Sequence, residues 1–187
     1  MRCPHCFQAI HESAETCPHC GMDGTALEVL YSDRERNIAL LNDEAGMLRV
    51  HDREKVKVWI SKFEKEFPQC FLSVSTVALN DDQDLRSYGV WALSSKPVIG
   101  AEHKDPSFGV MIIIDVKKKE SAIVYGYQHE PYMTDKGCFN AISLAHPHLL
   151  DGKYLQALGM MRHGLRKLMR KNKRKAQKML RRGDIAV

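Results

Sequence analysis

Two identical tetrapeptides, Cys3-Pro4-His5-Cys6 and Cys17-Pro18-His19-Cys20, stand ten residues apart at the start of this chain. A segment that short cannot bury a core of its own, so it needs a cross-link to hold a shape. Each Cys-x-x-Cys turn offers two sulfurs to one ion, and two such turns complete the tetrahedral set of soft ligands that Zn²⁺ prefers. Four thiolates leave no open position for water, so the expected site at Cys3, Cys6, Cys17 and Cys20 is structural. Iron in a rubredoxin-like setting is the alternative. No βαβ pattern surrounds either pair, which argues against a thioredoxin-type redox role. Gly21 follows the second turn, where a backbone with positive φ is often required. His5 and His19 read as exposed turn residues, and His11, between the pairs, is not needed as a ligand.

The remaining cysteines, Cys70 and Cys138, are isolated in apolar segments and read as small buried hydrophobes. The N-terminus lacks the apolar stretch of a signal peptide, and no apolar run reaches the roughly 20 residues that span a bilayer. The expected location is therefore cytoplasmic, a reducing setting that favours metal over disulfides for the clustered four.

The net charge of +5 hides an asymmetry. Residues 162–182 carry 11 Lys or Arg and no acid, which leaves 17 basic against 22 acidic residues over 1–161. Within this tail Leu165, Leu168, Met169, Asn172, Ala176, Met179 and Leu180 fall on one helical face, with cations filling the rest. A basic amphipathic helix can lie on an anionic membrane surface, bind nucleic acid, or enter a protein partner's acidic groove. It can equally be a last helix that packs its first turns and leaves the rest in solvent. For the tail, attachment to a membrane surface leads the binding options; for the chain as a whole a protein partner is expected. The membrane or nucleic acid would be met through residues 165–182, peripherally, with no transmembrane segment.

The central residues read as an alternation of elements. Residues 26–31 suggest a short strand, and 33–41 a helical turn or two. Val56, Trp59, Ile60, Phe63 and Phe67 recur at helical spacing, so 53–67 reads as a helix capped by Asp52 and ended by Pro68. The β-branched run 70–79 reads as a strand, 81–94 as a helix with Leu85, Tyr88, Trp91 and Ala92 inward. A loop with Pro97, Gly100 and Pro106 precedes 108–115, which is nearly all apolar and suggests a strand buried on both faces. Residues 117–120 are a turn and 121–127 the returning strand. Thr134 or Asp135 caps a helix running to about residue 150, with Pro147 kinking or closing it, and 152–182 is a long final helix. The expected fold is α/β, a three-layer domain with a mixed sheet flanked by helices, plus the small N-terminal metal module.

From about residue 41 to 164 the chain resembles the TPM domain, a bacterial and plastid α/β domain. The matching pieces are Asn42-Asp43-Glu44-Ala45-Gly46-Met47-Leu48, the core strand Gly109-Val110-Met111-Ile112-Ile113-Ile114, Gly126-Tyr127-Gln128-His129-Glu130 with Thr134-Asp135, and Asp151-Gly152-Lys153-Tyr154. The first segment likewise resembles the short zinc ribbons at the ends of many bacterial proteins, which often contact protein or nucleic acid. The resemblance divides the chain into a zinc ribbon over 1–24, a linker over 25–40, a TPM-like domain over 41–164 and a basic extension over 165–187. It also implies an acidic site at Asp43, Glu130 and Asp135 that binds a divalent cation, Ca²⁺ or Mg²⁺, through carboxylate oxygens. Such an ion could polarise a phosphate ester, as in the acid phosphatase activity ascribed to a plant member.

The sequence departs from the family pattern at that site. Gln128 and Pro131 replace two glycines, His129 replaces an apolar residue, and Ser107 and Phe108 replace the acidic or amide residues before the core strand. A bland reading stands beside the cation: Asp135 caps a helix, Asp43 braces a turn, and Glu130 is an exposed loop acid. The functional expectation is an interaction or accessory module that binds a divalent cation, with a weak metal-dependent phosphatase as the alternative.

Overall fold

The computed structural model describes residues 3, 5–6, 8–11, 13–34, 39–94 and 98–182. Pro4 and Pro97 of the sequence reading, and the side chains of Met179 and Leu180, lie outside that description. The chain divides into two compact units, residues 1–128 and 129–187.

The first unit is built on a four-stranded sheet in the order β1 (Leu41–Asp43), β2 (Phe71–Val77), β3 (Gly109–Asp115), β4 (Glu120–Tyr125). The first three strands are parallel and β4 is antiparallel to β3, so the sheet is mixed. Every residue of β2 and β3 is buried. That explains their near-continuous β-branched and apolar sequences, since central parallel strands meet core on both faces. β1 was hidden in the sequence because three residues are too few to show a period.

Helix α2 (Val50–Glu66) packs along β1 and β2, burying Val56, Ile60 and Phe63. It starts at Val50, and Asp52 is not its cap: Arg49 holds the N-cap position without a side-chain bond, and Asp52 sits in the first turn. A carboxylate there still favours the positive end of the helix dipole. Helix α3 (Leu85–Ser94) packs on β3 and β4. It begins four residues later than the sequence reading because Asp84 Oδ1 accepts the backbone N–H groups of Arg86 at 3.0 Å and Ser87 at 2.9 Å.

The segment 26–31 is helical, not a strand. Asp23 N-caps α1 (Gly24–Leu30), its Oδ1 accepting the Ala26 N–H at 2.7 Å. This satisfies a donor that a strand would have left to a neighbour. Its buried residues Leu27 and Tyr31 are four apart, the helical spacing that alternation-based reading overlooks. Tyr31 is fully buried, its hydroxyl donating to the Asp84 carbonyl at 2.8 Å and pairing with Ser87 Oγ at 2.7 Å. Its ring lies 5.6 Å from Tyr88 and 5.3 Å from Trp91, centroid to centroid. Burial pushes the Tyr88 phenol up to about 12.

The second unit is helical. Thr134 caps α4 (Asp135–Ile142), accepting the Gly137 N–H at 3.1 Å. The single helix expected to reach residue 150 is broken. A 3₁₀ turn over Ser143–Ala145 follows, then α5 (His146–Leu150) restarts with Pro147 in its first turn. Proline has no N–H to bond back into a continuing helix, but its fixed φ suits a first turn. Gly152, with φ of 70°, leads into α6 (Tyr154–Arg182), which runs through residue 164 without interruption. Helices α4 and α5 both pack on α6.

Candidate metal centre

The four cysteine sulfurs of the N-terminal segment converge. All four Sγ atoms lie within 4.8 Å of one another. Cys3 Sγ stands 3.7 Å from Cys20 Sγ, and Cys6 Sγ 3.6 Å from Cys17 Sγ. Disulfide sulfurs would be about 2 Å apart, so these are four separate thiols, close enough to hold one ion between them.

The backbone builds the centre in two halves. In the first, the Cys3 N–H donates to the Gln8 carbonyl at 3.0 Å. In the second, the Cys17 N–H donates to Met22 and the Gly21 N–H returns to Cys17, each at 2.9 Å. Gly21 takes a φ of 73°, which an L side chain would resist. A bridge between Thr16 and Asp23 closes the second half and leads directly into α1.

Cys3 and Cys17 are buried, Cys6 is half-buried and Cys20 exposed. Desolvation opposes ionisation of Cys17, but the backbone N–H groups of His19 and Cys20 outweigh it, and the thiol falls to about 6. At Cys20 the Met22 N–H favours the thiolate, yet desolvation and the three neighbouring thiols push it up to about 12. Cys6 is also raised, by desolvation and by Cys17 and Cys3, against the help of the Gln8 backbone. The donor set fits one soft tetrahedral ion. His5 and His19 are exposed, and His11 Nδ1 is engaged by Ser13, whose N–H donates to it at 3.2 Å; among the described residues the four cysteines make the group. Cys70 and Cys138 are both buried, and burial pushes the Cys70 thiol up to about 11.

The three carboxylates of the acidic reading are distributed over both units. Asp43, at the end of β1 in the first, has a side chain only 4% exposed. Its Oδ1 accepts the Met47 N–H at 2.9 Å and the Thr76 hydroxyl at 2.5 Å. Its Oδ2 accepts the Leu48 N–H at 3.1 Å and the Arg53 guanidinium at 3.0 and 2.8 Å. Asp43 thus fastens the β1–α2 loop to β2 and to α2. Glu130 and Asp135 lie in the second unit, both exposed, Asp135 in the first turn of α4.

Asp43 also lines a cleft of about 740 Å³ that the sequence did not reveal. Its charged walls are Asp33, Asp43 and Glu44 against Arg34, Arg53 and Lys57, three of each sign. Arg34 is largely buried and anchors the cleft's edge. It pairs with Glu44, and its Nη2 donates to the Ala78 carbonyl at 2.8 Å and to Gln83 Oε1 at 3.1 Å. Nothing local marks Arg34, because the acceptors of its Nη2, Ala78 and Gln83, stand more than forty positions away. Asp115 works locally instead: fully buried at the end of β3, its Oδ1 accepts the N–H groups of Lys117 and Lys118 and shapes the β3–β4 turn.

Comparison with known proteins bears on the fold. A solved domain from a P. gingivalis protein superposes with a TM-score of 0.55 at 17% identity, covering 79% of this chain and 91% of that one. The N-terminal domain of a Corynebacterium glutamicum protein gives 0.51 at 16% identity, covering 67% and 76%. Comparison with curated proteins found no match. The family model described as the TPM domain matches residues 41–168, more than half of the sequence, with the mixed sheet and its flanking helices inside the match. This chain therefore belongs to the TPM domain family.

Proposed function

We propose that the chain is an interaction module in which Cys3, Cys6, Cys17 and Cys20 hold one structural Zn²⁺ and shape a small recognition head on a TPM domain. The observation that carries the zinc assignment is the sulfur geometry. Four sulfurs each about 2.3 Å from a zinc ion form a tetrahedron with edges of about 3.8 Å. The Cys3–Cys20 and Cys6–Cys17 separations are 3.7 and 3.6 Å. Because the four thiolates fill the coordination sphere, the ion staples the head and leaves the chemistry of the protein elsewhere.

Asp43 supports a non-enzymatic reading. Both of its oxygens are committed to holding the β1–α2 loop. A divalent ion there would have to displace the Arg53 guanidinium, which already neutralises the carboxylate. The competing reading is a Ca²⁺- or Mg²⁺-dependent phosphatase at Asp43, Glu130 and Asp135.

Metal analysis of the full chain, purified without added metal, is expected to give one zinc per chain, lost in Cys17→Ser. Iron in place of zinc would overturn the assignment of the ion. The same preparation is expected to leave a generic aryl phosphate intact with either Mg²⁺ or Ca²⁺. Hydrolysis that Glu130→Ala abolishes would instead establish the phosphatase.

A further inference from the structure

The second unit carries a groove of about 880 Å³ between α4 with its following 3₁₀ turn and α6. Ala141, Leu144, Met160 and Leu168 give it an apolar lining. Leu144 is 68% exposed, a large hydrophobe left to solvent at the groove. The charged residues that line it, from Arg166 and Lys167 through Arg170 and Lys171 to Arg174, are all cations. The side chains of Lys167, Lys171 and Arg174 are exposed.

The trough is built by close helix approach. A Cβ on Gly164 would lie 2.4 Å from the Ala141 carbonyl oxygen, so glycine lets α6 run backbone-to-backbone past α4. Along α6 the lining reaches from Met160 to Arg174, a length of about 21 Å at 1.5 Å per residue. That matches a helical segment of about four turns.

We infer that this groove receives an acidic amphipathic helix from a protein partner, its apolar face on Leu144 and Leu168 and its carboxylates facing Lys167, Lys171 and Arg174. The inference rests on the interaction-module reading above and names the chemistry of the partner. An apolar trough with cationic walls is complementary to a helix that is leucine-rich on one face and glutamate-rich on the other. Nucleic acid fits less well: no aromatic residue lines the groove to stack a base, and phosphates have no use for an apolar lining. A bilayer presents a plane, whereas Leu144 and Leu168 line a cavity.

The test uses the full chain and a fluorescein-labelled peptide of about 15 residues, with leucines at positions i, i+3, i+4 and i+7 of each repeat and glutamates elsewhere. Fluorescence anisotropy is expected to show binding that weakens with added salt. It should fall at least about tenfold in Lys167→Glu/Lys171→Glu and, separately, in Leu144→Asp. A scrambled peptide of equal charge should bind at least about tenfold more weakly than the amphipathic one. All substituted side chains are exposed, and matching far-UV spectra and melting curves confirm that the variants fold.

Equal binding of the scrambled peptide, or affinity unchanged in both variants, would overturn the inference. So would anionic phosphatidylglycerol vesicles or an oligouridylate that bound through the same lysines more tightly than the peptide. Failure of peptide binding in a preparation that still holds one zinc per chain and hydrolyses no phosphate ester would sink the groove assignment alone. Loss of the metal or gain of hydrolysis would sink the broader reading.

Discussion

Asp43, a candidate cation ligand in the sequence, fastens a loop in three dimensions. Its carboxylate collects two backbone N–H groups, a threonine hydroxyl and a guanidinium in a nearly buried setting. Hydrogen bonds to a buried charged group contribute more than neutral ones, and replacing one oxygen with an NH₂ sets donor against donor. Asp43→Asn is expected to cost about 2–3 kcal/mol of stability, read as a lower midpoint in urea unfolding. A change below about 0.5 kcal/mol would mean that the bonds seen at Asp43 carry little of the loop's stability. The residue-scale features legible beforehand were those with local chemistry: four cysteines, a capping threonine, a helix-breaking proline. Arg34 and Gln83 were not, because their partners are supplied by the fold.

At the scale of elements, α6 is the informative case. Its buried positions Leu165, Met169 and Asn172 and its exposed cations follow one helical stripe, as the amphipathic pattern requires. Packing, however, depends on a residue that helix propensity disfavours. Gly164→Ala would gain up to about 1 kcal/mol in propensity. The new methyl would meet the Ala141 backbone at 2.4–2.9 Å, which no side-chain rotation relieves. Overpacking of this kind costs roughly 1–3 kcal/mol, so the net expectation is a lower melting temperature. A rise would show that α4 and α6 separate freely. Helix α1 teaches the converse: its start was written in Asp23, Gly24 and Thr25, but six apolar-rich residues can be read with either period.

At the scale of the molecule, a head with four converging cysteines leads through α1 into a sheet domain that buries its own aromatic cluster. On the proposed zinc reading the head, being small, owes its order to the ion, whereas β2 and β3 lie in an apolar core. Chelation of the full chain is therefore expected to abolish amide-exchange protection over residues 3–23 while β2 and β3 keep theirs. Loss of protection across the whole sheet would make the metal a keystone of the domain. No helix among the described residues is long and apolar enough to cross a membrane.

The amino-acid order alone determined the cluster of four cysteines, the buried central strands and the long, cation-rich last helix. Each depends on spacing within a few residues: two sulfurs per turn, β-branched runs, a stripe every third or fourth position. Tertiary structure decided the rest. It gave β1 its identity by pairing Asp43 with Thr76 across 33 residues, turned 24–30 into a helix anchored by Tyr31 on α3, and opened a cation-lined groove between α4 and α6. Those features arise from contacts between residues far apart in sequence, and local propensity carries no record of such contacts.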